Sequence, residues 1–409
     1  METGIIFAIL KAIIMMITKK LILVSLVIIQ SVLVSAQSGK EQQGRVTQLF
    51  NFDWKFQAGD LKNAQSADYD DSGWRTLDLP HDFQIEQPWD KSAGGARGFK
   101  AMGKGWYRKS FKADPAWKDK RVLLDFEGIM LLGDVWVNGQ KVGSTDYGYI
   151  GFEVDITKLL TYDKENVVAV CASTGKTGGS RWYTGGGLFR DVHLIVKNPV
   201  AIARHGVFVS TPQVTEQRAE VSVQVELEGI RGKNLDVEIR TKICSPDGTL
   251  VAETKEWAPK RSKSGTVEVS LPKITVPNPQ LWSCETPNLY TAEVSLVYEG
   301  KQVDEVTETF GIRTLEFSPE FGFKLNGKKL FLKGIANHHD LGVVGAAAFD
   351  RAIERQFALL KKFGYNHVRT SHNPYSESFL KLADKYGILV VDELIDKWSD
   401  KSYWGGRVP

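Results

Sequence analysis

The sequence predicts a multidomain protein: a β jelly-roll sandwich, an immunoglobulin-like β-sandwich, and an incomplete (β/α)8 barrel of three strands and two helices. Two long stretches of strand-like segments lack a helical period, whereas the C-terminal part alternates strands with helices. The 409 residues exceed one domain of about 100–200 residues. We divide the chain into a signal peptide (1–36), the jelly roll (37–200), the immunoglobulin-like domain (201–311) and the start of the barrel (312–409).

The N-terminal residues have the pattern of a secretory signal peptide. Lys19 and Lys20 precede an apolar run over residues 21–34, and the small residues Ser35 and Ala36 follow. A basic region, an apolar stretch of this length and a small-residue cleavage site are the parts of such a peptide. We therefore expect an exported protein, periplasmic or secreted, with no stable membrane span after cleavage. A retained N-terminal membrane anchor is the alternative.

Composition excludes several classes of protein. The 52 Lys and Arg against 49 Asp and Glu give a net charge of +3 without a basic block, so no nucleic-acid partner is expected. Hydrophobic residues at 42% and charged residues at 25% exclude a disordered or collagen-like chain. The three cysteines, Cys171, Cys244 and Cys284, are too scattered for a disulfide framework or a cysteine metal site.

Residues 46–199 predict the jelly-roll sandwich. Apolar segments of strand length occur at 121–127, 134–142, 165–171 and 191–196. Asn138 and Gly139 favour a type I′ hairpin within the second of these segments, because both residues tolerate a positive φ. Many short strands separated by turn signals are typical of an all-β sandwich.

Residues 201–310 continue the strand pattern in a second unit. The segments 219–226 and 265–270 alternate apolar and polar residues, so one face of each strand is expected to be buried and the other wet. Further strand-like segments occur at 206–210, 236–240 and 291–297. A unit of about 110 residues with this pattern fits an immunoglobulin-like sandwich.

After Gly311, strands alternate with amphipathic helices. The predicted order is strand, helix, strand, helix and strand, at residues 331–335, 349–360, 367–369, 379–386 and 388–391. Glycines end both helices, at Gly364 and Gly387. The continuous apolar run of the last strand predicts burial on both faces of a parallel sheet.

Polar residues collect at one end of these three strands. The strands run into residues 337–340, 369–373 and 392–393, which are rich in His, Asp, Arg and Glu. In a (β/α)8 barrel, the C-terminal ends of the strands form the face that carries the active site. The sequence therefore predicts a functional site at this edge of the sheet.

Motifs along the chain resemble those of glycoside hydrolase family 2, which includes β-galactosidases, β-glucuronidases and β-mannosidases. They stand in the family's order at residues 105–111, 135–139, 180–192, 310–313, 334–338, 369–374 and 391–393. The resemblance implies the domain order jelly roll, immunoglobulin-like sandwich and barrel, which agrees with the strand patterns.

The resemblance also implies an activity, the retaining hydrolysis of terminal β-linked sugars, most of all β-galactosides. Two carboxylates about 5–5.5 Å apart then act as acid/base and nucleophile. In the family both come from later barrel strands, so we expect the catalytic residues beyond residue 409 and no activity from this chain alone. The alternatives are β-glucuronidase or β-mannosidase activity, and a non-catalytic carbohydrate-binding protein.

The same resemblance implies the site residues. The predicted substrate-binding residues are His338, His372, Asn373, Asp392 and Trp182. The two histidines suit sugar hydroxyls, because imidazole donates from one nitrogen and accepts at the other. Arg369 would orient the nucleophile carboxylate, and Glu393 would organise the site. The alternatives are core histidines, an ion pair of Arg369 inside the barrel, and a packed loop anchor for Trp182.

No cofactor or metal is predicted. Family members that bind magnesium use a carboxylate and a histidine after the third strand, where this chain has Asp396 and no histidine. The expected partner is an oligosaccharide or glycoside, and a homo-oligomer of the full-length protein is a further candidate. Members that bind galactose often place Asp or Asn shortly before Ser180, and residues 173–179 contain neither, which leaves the exact sugar open.

Overall fold

The computed structural model describes residues 44–175, 182–230, 236–259 and 265–394. The predicted signal peptide (1–36), Asp396 and residues 176–181 lie outside these ranges. Within them, no helix is both long enough and apolar enough to cross a membrane.

The first domain is a sandwich of two antiparallel sheets. Its strands are β1 (Val46–Leu49), β2 (Trp54–Ala58), β3 (Arg75–Leu77), β4 (Lys104–Lys112), β5 (Arg121–Phe126), β6 (Leu132–Val137), β7 (Gln140–Thr145), β8 (Phe152–Asp155), β9 (Glu165–Ser173) and β10 (Val192–Lys197). One sheet has the order β1-β10-β5-β8 and the other β3-β2-β4-β9-β6-β7. Inward residues of both sheets, among them Trp54, Leu124 and Val170, form a single apolar core. The predicted sandwich is confirmed.

The hairpin between β6 and β7 has the predicted turn. Asn138 and Gly139 have φ values of 50° and 81°, as a type I′ turn requires. The Asn138 side chain also accepts the Val167 amide at 2.8 Å and donates to the Leu159 carbonyl at 2.8 Å. These bonds fasten the hairpin to the start of β9.

The second domain is a smaller sandwich. Its strands are β11 (Ala201–Val214), β12 (Arg218–Glu228), β13 (Val237–Cys244), β14 (Leu250–Trp257), β15 (Thr266–Ser270), β16 (Ile274–Pro277), β17 (Tyr290–Tyr298) and β18 (Lys301–Phe310). One sheet has the order β11-β12-β15, with β16 also on β12, and the other has the order β14-β13-β17-β18. Strands β12, β13 and β17 alternate buried residues with half-buried or exposed ones, and their buried faces form the core as predicted.

The third domain begins with a small antiparallel sheet and continues as a parallel one. Its elements are β19 (Leu315–Ser318), β20 (Gly322–Leu325), β21 (Lys328–Lys329), β22 (Gly334–Asn337), α1 (Asp350–Lys362), β23 (His367–Thr370), α2 (Glu377–Tyr386) and β24 (Leu389–Val391). Strands β22, β23 and β24 lie side by side in parallel. Ile353 and Phe357 of α1 and Phe379 of α2 pack on Val368 of β23. This arrangement confirms the predicted three strands and two helices.

Two predictions for this sheet are wrong in detail. The first strand begins at Gly334 rather than at residue 331. Before Gly334 the backbone bonds to a side chain instead of a neighbouring strand, because Asn366 accepts a hydrogen bond from the Lys333 amide and donates one to the Phe331 carbonyl. The last strand is not buried throughout, since Val391 is 50% exposed. Within the described residues, β24 has a partner strand on one side only.

Candidate functional site

The C-terminal ends of the three parallel strands meet at one edge of the sheet. Asn337 pairs with Thr370, and Arg369 pairs with Val391. His338 follows β22 directly, so the polar residues after each strand are adjacent in space. The prediction that these strand ends form one group is confirmed.

Three aromatic rings form a cluster at this edge. The Trp182 indole stacks on the His338 imidazole, with ring centroids 5.4 Å apart and planes inclined by 29°. The His372 ring lies edge-on to both, 5.3 Å from Trp182 and 5.6 Å from His338. Trp182 comes from the segment between β9 and β10, so the first sandwich contributes one side of the cluster. We call these three residues the ring cluster.

Glu393 joins the ends of β23 and β24. Its Oε2 accepts a hydrogen bond from Nδ1 of His372 at 2.6 Å, and its Oε1 accepts one from Nε of Arg369. The Glu393 amide also donates to the Thr370 hydroxyl at 2.9 Å. Because Nδ1 of His372 is the donor, Nε2 is the acceptor when this ring is neutral.

Asp392 and Asn373, the other two predicted substrate-binding residues, differ in exposure. Asp392 is exposed and accepts the Thr370 hydroxyl at 2.6 Å. Asn373 is fully buried, and its amide donates to the Pro374 carbonyl at 3.0 Å. Asn373 therefore has no exposed surface in this structure, and its contact with a substrate stays a prediction.

His339 connects the barrel to the first sandwich, a role that sequence reasoning missed. Its Nε2 donates to the Thr184 carbonyl at 3.0 Å, and its ring lies edge-on to Tyr149, Phe189 and Tyr375. Burial lowers the pKa of His339 to about 4, because a charged imidazolium is poorly solvated there. His339 is therefore a neutral packing residue beside the site.

Arg190 makes a second connection that the sequence did not predict. Its fully buried guanidinium donates to the Tyr149 carbonyl at 2.8 Å and to the Pro374 carbonyl at 2.7 Å. Burial lowers the pKa of Arg190 to about 10, and the nearby carboxylate of Glu127 opposes that shift. Arg190 thus holds the loop that carries His372.

A possible cation cluster lies elsewhere, at the ends of β5 and β10. Ligand atoms of Glu127, Asp191 and His193 lie within 4.8 Å of one another. Burial and the neighbouring carboxylates of Asp191 and Glu377 raise the pKa of Glu127 to about 8, which favours an uncharged acid. Asp191 also accepts the Asn51 amide at 2.8 Å. The expected absence of a metal stays a prediction.

The fold and the polar strand ends define a class of protein, the multidomain chains in which two β-sandwiches precede a barrel-type domain with a polar group at its strand ends. Residues 74–199 match the sequence profile described as the sugar binding domain of glycosyl hydrolases family 2. Residues 200–313 match the profile described as glycosyl hydrolases family 2, and residues 320–397 match that family's TIM barrel domain. The chain belongs to glycoside hydrolase family 2, as its motifs predicted.

Curated relatives carry the names of two activities. The β-galactosidase BoGH2A of Bacteroides ovatus is 37% identical over 354 residues, which cover 86% of this chain and 41% of that protein. A β-glucuronidase of Bacteroides fragilis is 33% identical, over 78% of this chain and 46% of that protein. The chain therefore spans less than half the length of these relatives.

Solved structures of the family superpose on the chain. A family 2 member from Bacteroides cellulosilyticus has a TM-score of 0.82 and 39% identity, covering 86% of this chain and 46% of the other. A Bacteroides uniformis β-glucuronidase 2, covalently bound to cyclophellitol-6-carboxylate aziridine, has a TM-score of 0.78 and 30% identity, covering 88% and 44%. Fold and family agree, whereas the relatives' names differ in the sugar.

Proposed function

We propose that this chain supplies part of the sugar-binding wall of a retaining family 2 β-glycosidase that acts on terminal β-galactosides. The observation that carries the proposal is the ring cluster at the strand ends. The Trp182 indole is 6% exposed and packs against both histidines, so it forms the back of this wall and holds the two imidazoles in place. His338 and His372 offer ring nitrogens that can donate to or accept from hydroxyls.

Glu393 serves as an organiser in this proposal. Both of its oxygens accept hydrogen bonds, from Arg369 and His372, and such charge-assisted bonds fix a carboxylate firmly. A retaining reaction needs two carboxylates about 5–5.5 Å apart, one to protonate the leaving oxygen and one to attack the anomeric carbon. We assign neither role to Glu393 or to another described residue.

The choice of a β-galactoside over a β-glucuronide rests on the β-galactosidase name of a relative at 37% identity. Arg369 does not decide between the two sugars, because it binds Glu393 through Nε and its side chain is 47% exposed.

Calorimetry with the 409-residue chain tests the proposal. Isopropyl β-thiogalactoside should bind, and phenyl β-glucuronide should bind more weakly. His338→Ala and His372→Ala should each weaken galactoside binding by roughly tenfold, the effect of losing one hydrogen bond. The matched control is His193→Ala, because His193 is partly exposed like His372 but lies in the first sandwich.

Three outcomes would contradict the proposal. Tighter binding of the glucuronide would favour β-glucuronidase activity. Galactoside affinity that is unchanged in both histidine variants would favour a separate carbohydrate-binding site on the first sandwich. Release of nitrophenol from p-nitrophenyl β-galactoside by the 409-residue chain would contradict the assignment of no catalytic carboxylate to the described residues.

We also propose that the protein is exported, on the basis of the basic, apolar and small-residue pattern of residues 1–36. Expression of the chain in a bacterium, followed by fractionation and N-terminal sequencing, tests this. The mature protein should begin at Gln37 and leave the cytoplasm. An intact N-terminus on a membrane-bound product would favour the anchor instead.

A further inference from the structure

We propose that Asp82 is a positioning residue that sets where Trp182 lies in the ring cluster. The consequence for sugar binding rests on the proposed function, whereas the positioning itself rests on geometry alone. Asp82 lies in the loop between β3 and β4 and is 2% exposed. It therefore acts through other residues rather than by touching a sugar.

The Asp82 carboxylate joins three segments that are far apart in the sequence. Its Oδ1 accepts hydrogen bonds from the backbone amides of Gln84 and Gly186, each at 2.9 Å, and a longer one from the Ile85 amide at 3.4 Å. Its Oδ2 accepts the Tyr183 hydroxyl at 2.7 Å and the Ala346 amide at 2.8 Å. Thus one side chain holds its own loop, the segment between β9 and β10, and the barrel loop between β22 and α1.

Two glycines make room for this carboxylate because they have no side chain. A Cβ added at Gly185 would lie 2.7 Å from Oδ2 of Asp82, and one added at Gly345 would lie 2.2 Å from the same atom. Their φ values of 74° and 63° also disfavour other residues. Both segments therefore approach Asp82 closely, at positions where a side chain would push them away.

The arrangement requires a carboxylate rather than an amide. Each oxygen of Asp82 accepts at least two hydrogen bonds, whereas an asparagine of the same size has only one acceptor oxygen. Burial raises the pKa of Asp82, so the charged form is kept at some cost, and the hydrogen bonds that it accepts offset part of that cost. No ion pair to Asp82 occurs among the described residues, so these hydrogen bonds alone hold it.

The link from Asp82 to the ring cluster is short. Tyr183 donates its hydroxyl hydrogen bond to Asp82, and it follows Trp182 directly in the sequence. The Trp182 ring lies 5.4 Å from His338 and 5.3 Å from His372. A shift of the Tyr183 backbone therefore changes the surface that the cluster presents to a sugar.

Tryptophan labelled with fluorine gives a local readout of this position by NMR. The resonance of Trp182 is assigned by its loss in Trp182→Phe, and that of Trp257, an exposed residue of the second sandwich, by its loss in Trp257→Phe. Asp82→Asn should move the Trp182 resonance, leave Trp257 unchanged, and weaken binding of isopropyl β-thiogalactoside roughly tenfold.

Two further variants complete the experiment. Tyr183→Phe removes only the hydroxyl and should move the Trp182 resonance in the same way, with a smaller loss of affinity. Asp60→Asn is the matched control, because its side chain is 79% exposed, and it should change neither readout.

The positioning role is overturned if folded Asp82→Asn leaves the Trp182 resonance in place, and its consequence for sugar binding is overturned if the resonance moves without a change in affinity. If Asp82→Asn does not fold, Tyr183→Phe decides on the same criteria. If the unchanged chain binds no galactoside, the proposed function fails, whereas the Trp182 resonance still decides whether Asp82 positions that residue.

Discussion

The two β-sandwiches of this chain differ in what they bury. In the second, the buried polar side chains among the described residues are those of Thr241 and Asp304. The first sandwich and its loops bury Asn51, Asp82, Gln84, Lys100, Arg108, Asp125, Asn166, Thr174, Arg190 and Lys197. A buried polar group costs free energy unless it is hydrogen-bonded, so each of these needs a partner.

Some of those partners belong to the barrel domain. Asp82 accepts the Ala346 amide, and Arg190 donates to the Pro374 carbonyl beside the strand ends. The second sandwich touches the barrel elsewhere: the Trp282 indole donates to the Asp384 carbonyl, near the C-terminal end of α2. The difference indicates that the first sandwich helps to build the site at the strand ends, whereas the second sandwich contacts the barrel domain away from that site.

The largest effect is expected from Arg190→Gln. The variant loses two charge-assisted hydrogen bonds, each worth about 1.5–3 kcal/mol, so the first sandwich should lose about 3–6 kcal/mol of unfolding free energy. Galactoside binding should weaken as well, because the loop at Pro374 is released. Hydrogen exchange resolved by domain measures the first effect, and calorimetry the second.

The matched control is Arg240→Gln in the second sandwich. The Arg240 guanidinium is about half exposed and paired with Glu238, so its loss should cost far less unfolding free energy than the loss of Arg190. Equal destabilisation by both variants would remove the distinction between the two sandwiches.

A core substitution in the second sandwich tests the supporting role. Leu296 is fully buried in that core, and Leu296→Ala should cost about 2–5 kcal/mol of unfolding free energy through lost burial and a cavity. Galactoside affinity should stay unchanged at a temperature where the variant is folded. A loss of affinity in the folded variant would show that the second sandwich also shapes the site.

Local patterns predicted the sheets well. Alternation of apolar and polar residues predicted the strands around residues 219–226 and 265–270, and Asn138 with Gly139 predicted a hairpin, because each depends only on neighbours in the sequence. The gathering of His338 and His372 followed from the parallel strand order in the same way.

The connections beneath the site could not be predicted from local patterns. Asp82 is 101 residues from Tyr183 and 264 residues from Ala346, and nothing near Asp82 in the sequence indicates either partner. The burial of Asn373 had no sequence signal either, because the alternation of faces stops beyond the end of a strand.

Glu127→Gln tests a largely buried carboxyl group of the first sandwich through the pH dependence of the free energy of unfolding. Burial raises the folded-state pKa of Glu127 from 4.5 to about 8, so the folded protein keeps a proton that the unfolded chain releases above pH 4.5. Stability is therefore lost as the pH rises through this window, by about 3 kcal/mol between about pH 5 and pH 8.

The Gln variant keeps a neutral side chain and should lack that pH-dependent loss. Urea unfolding of both proteins across the pH range measures the difference. Glu268→Gln, at an exposed position of the second sandwich, is the control and should leave the pH dependence of the unchanged protein intact. If the free energy of unfolding changes with pH in the same way for Glu127→Gln and the unchanged protein, then burial does not raise the pKa of Glu127 in the folded protein.

The smallest effect is expected at His339, where the first sandwich meets the barrel. Burial depresses its folded-state pKa from 6.5 to about 4, so between these values the unfolded chain binds a proton that the folded protein does not. Stability is therefore lost as the pH falls, by about 2 kcal/mol from about pH 6.5 to pH 5. His339→Gln can still donate to the Thr184 carbonyl and should remove this loss, whereas His205→Gln, at a side chain 58% exposed, should not. If His339→Gln loses as much stability on acidification as the unchanged protein does, then His339 is not the buried neutral group that couples the two domains.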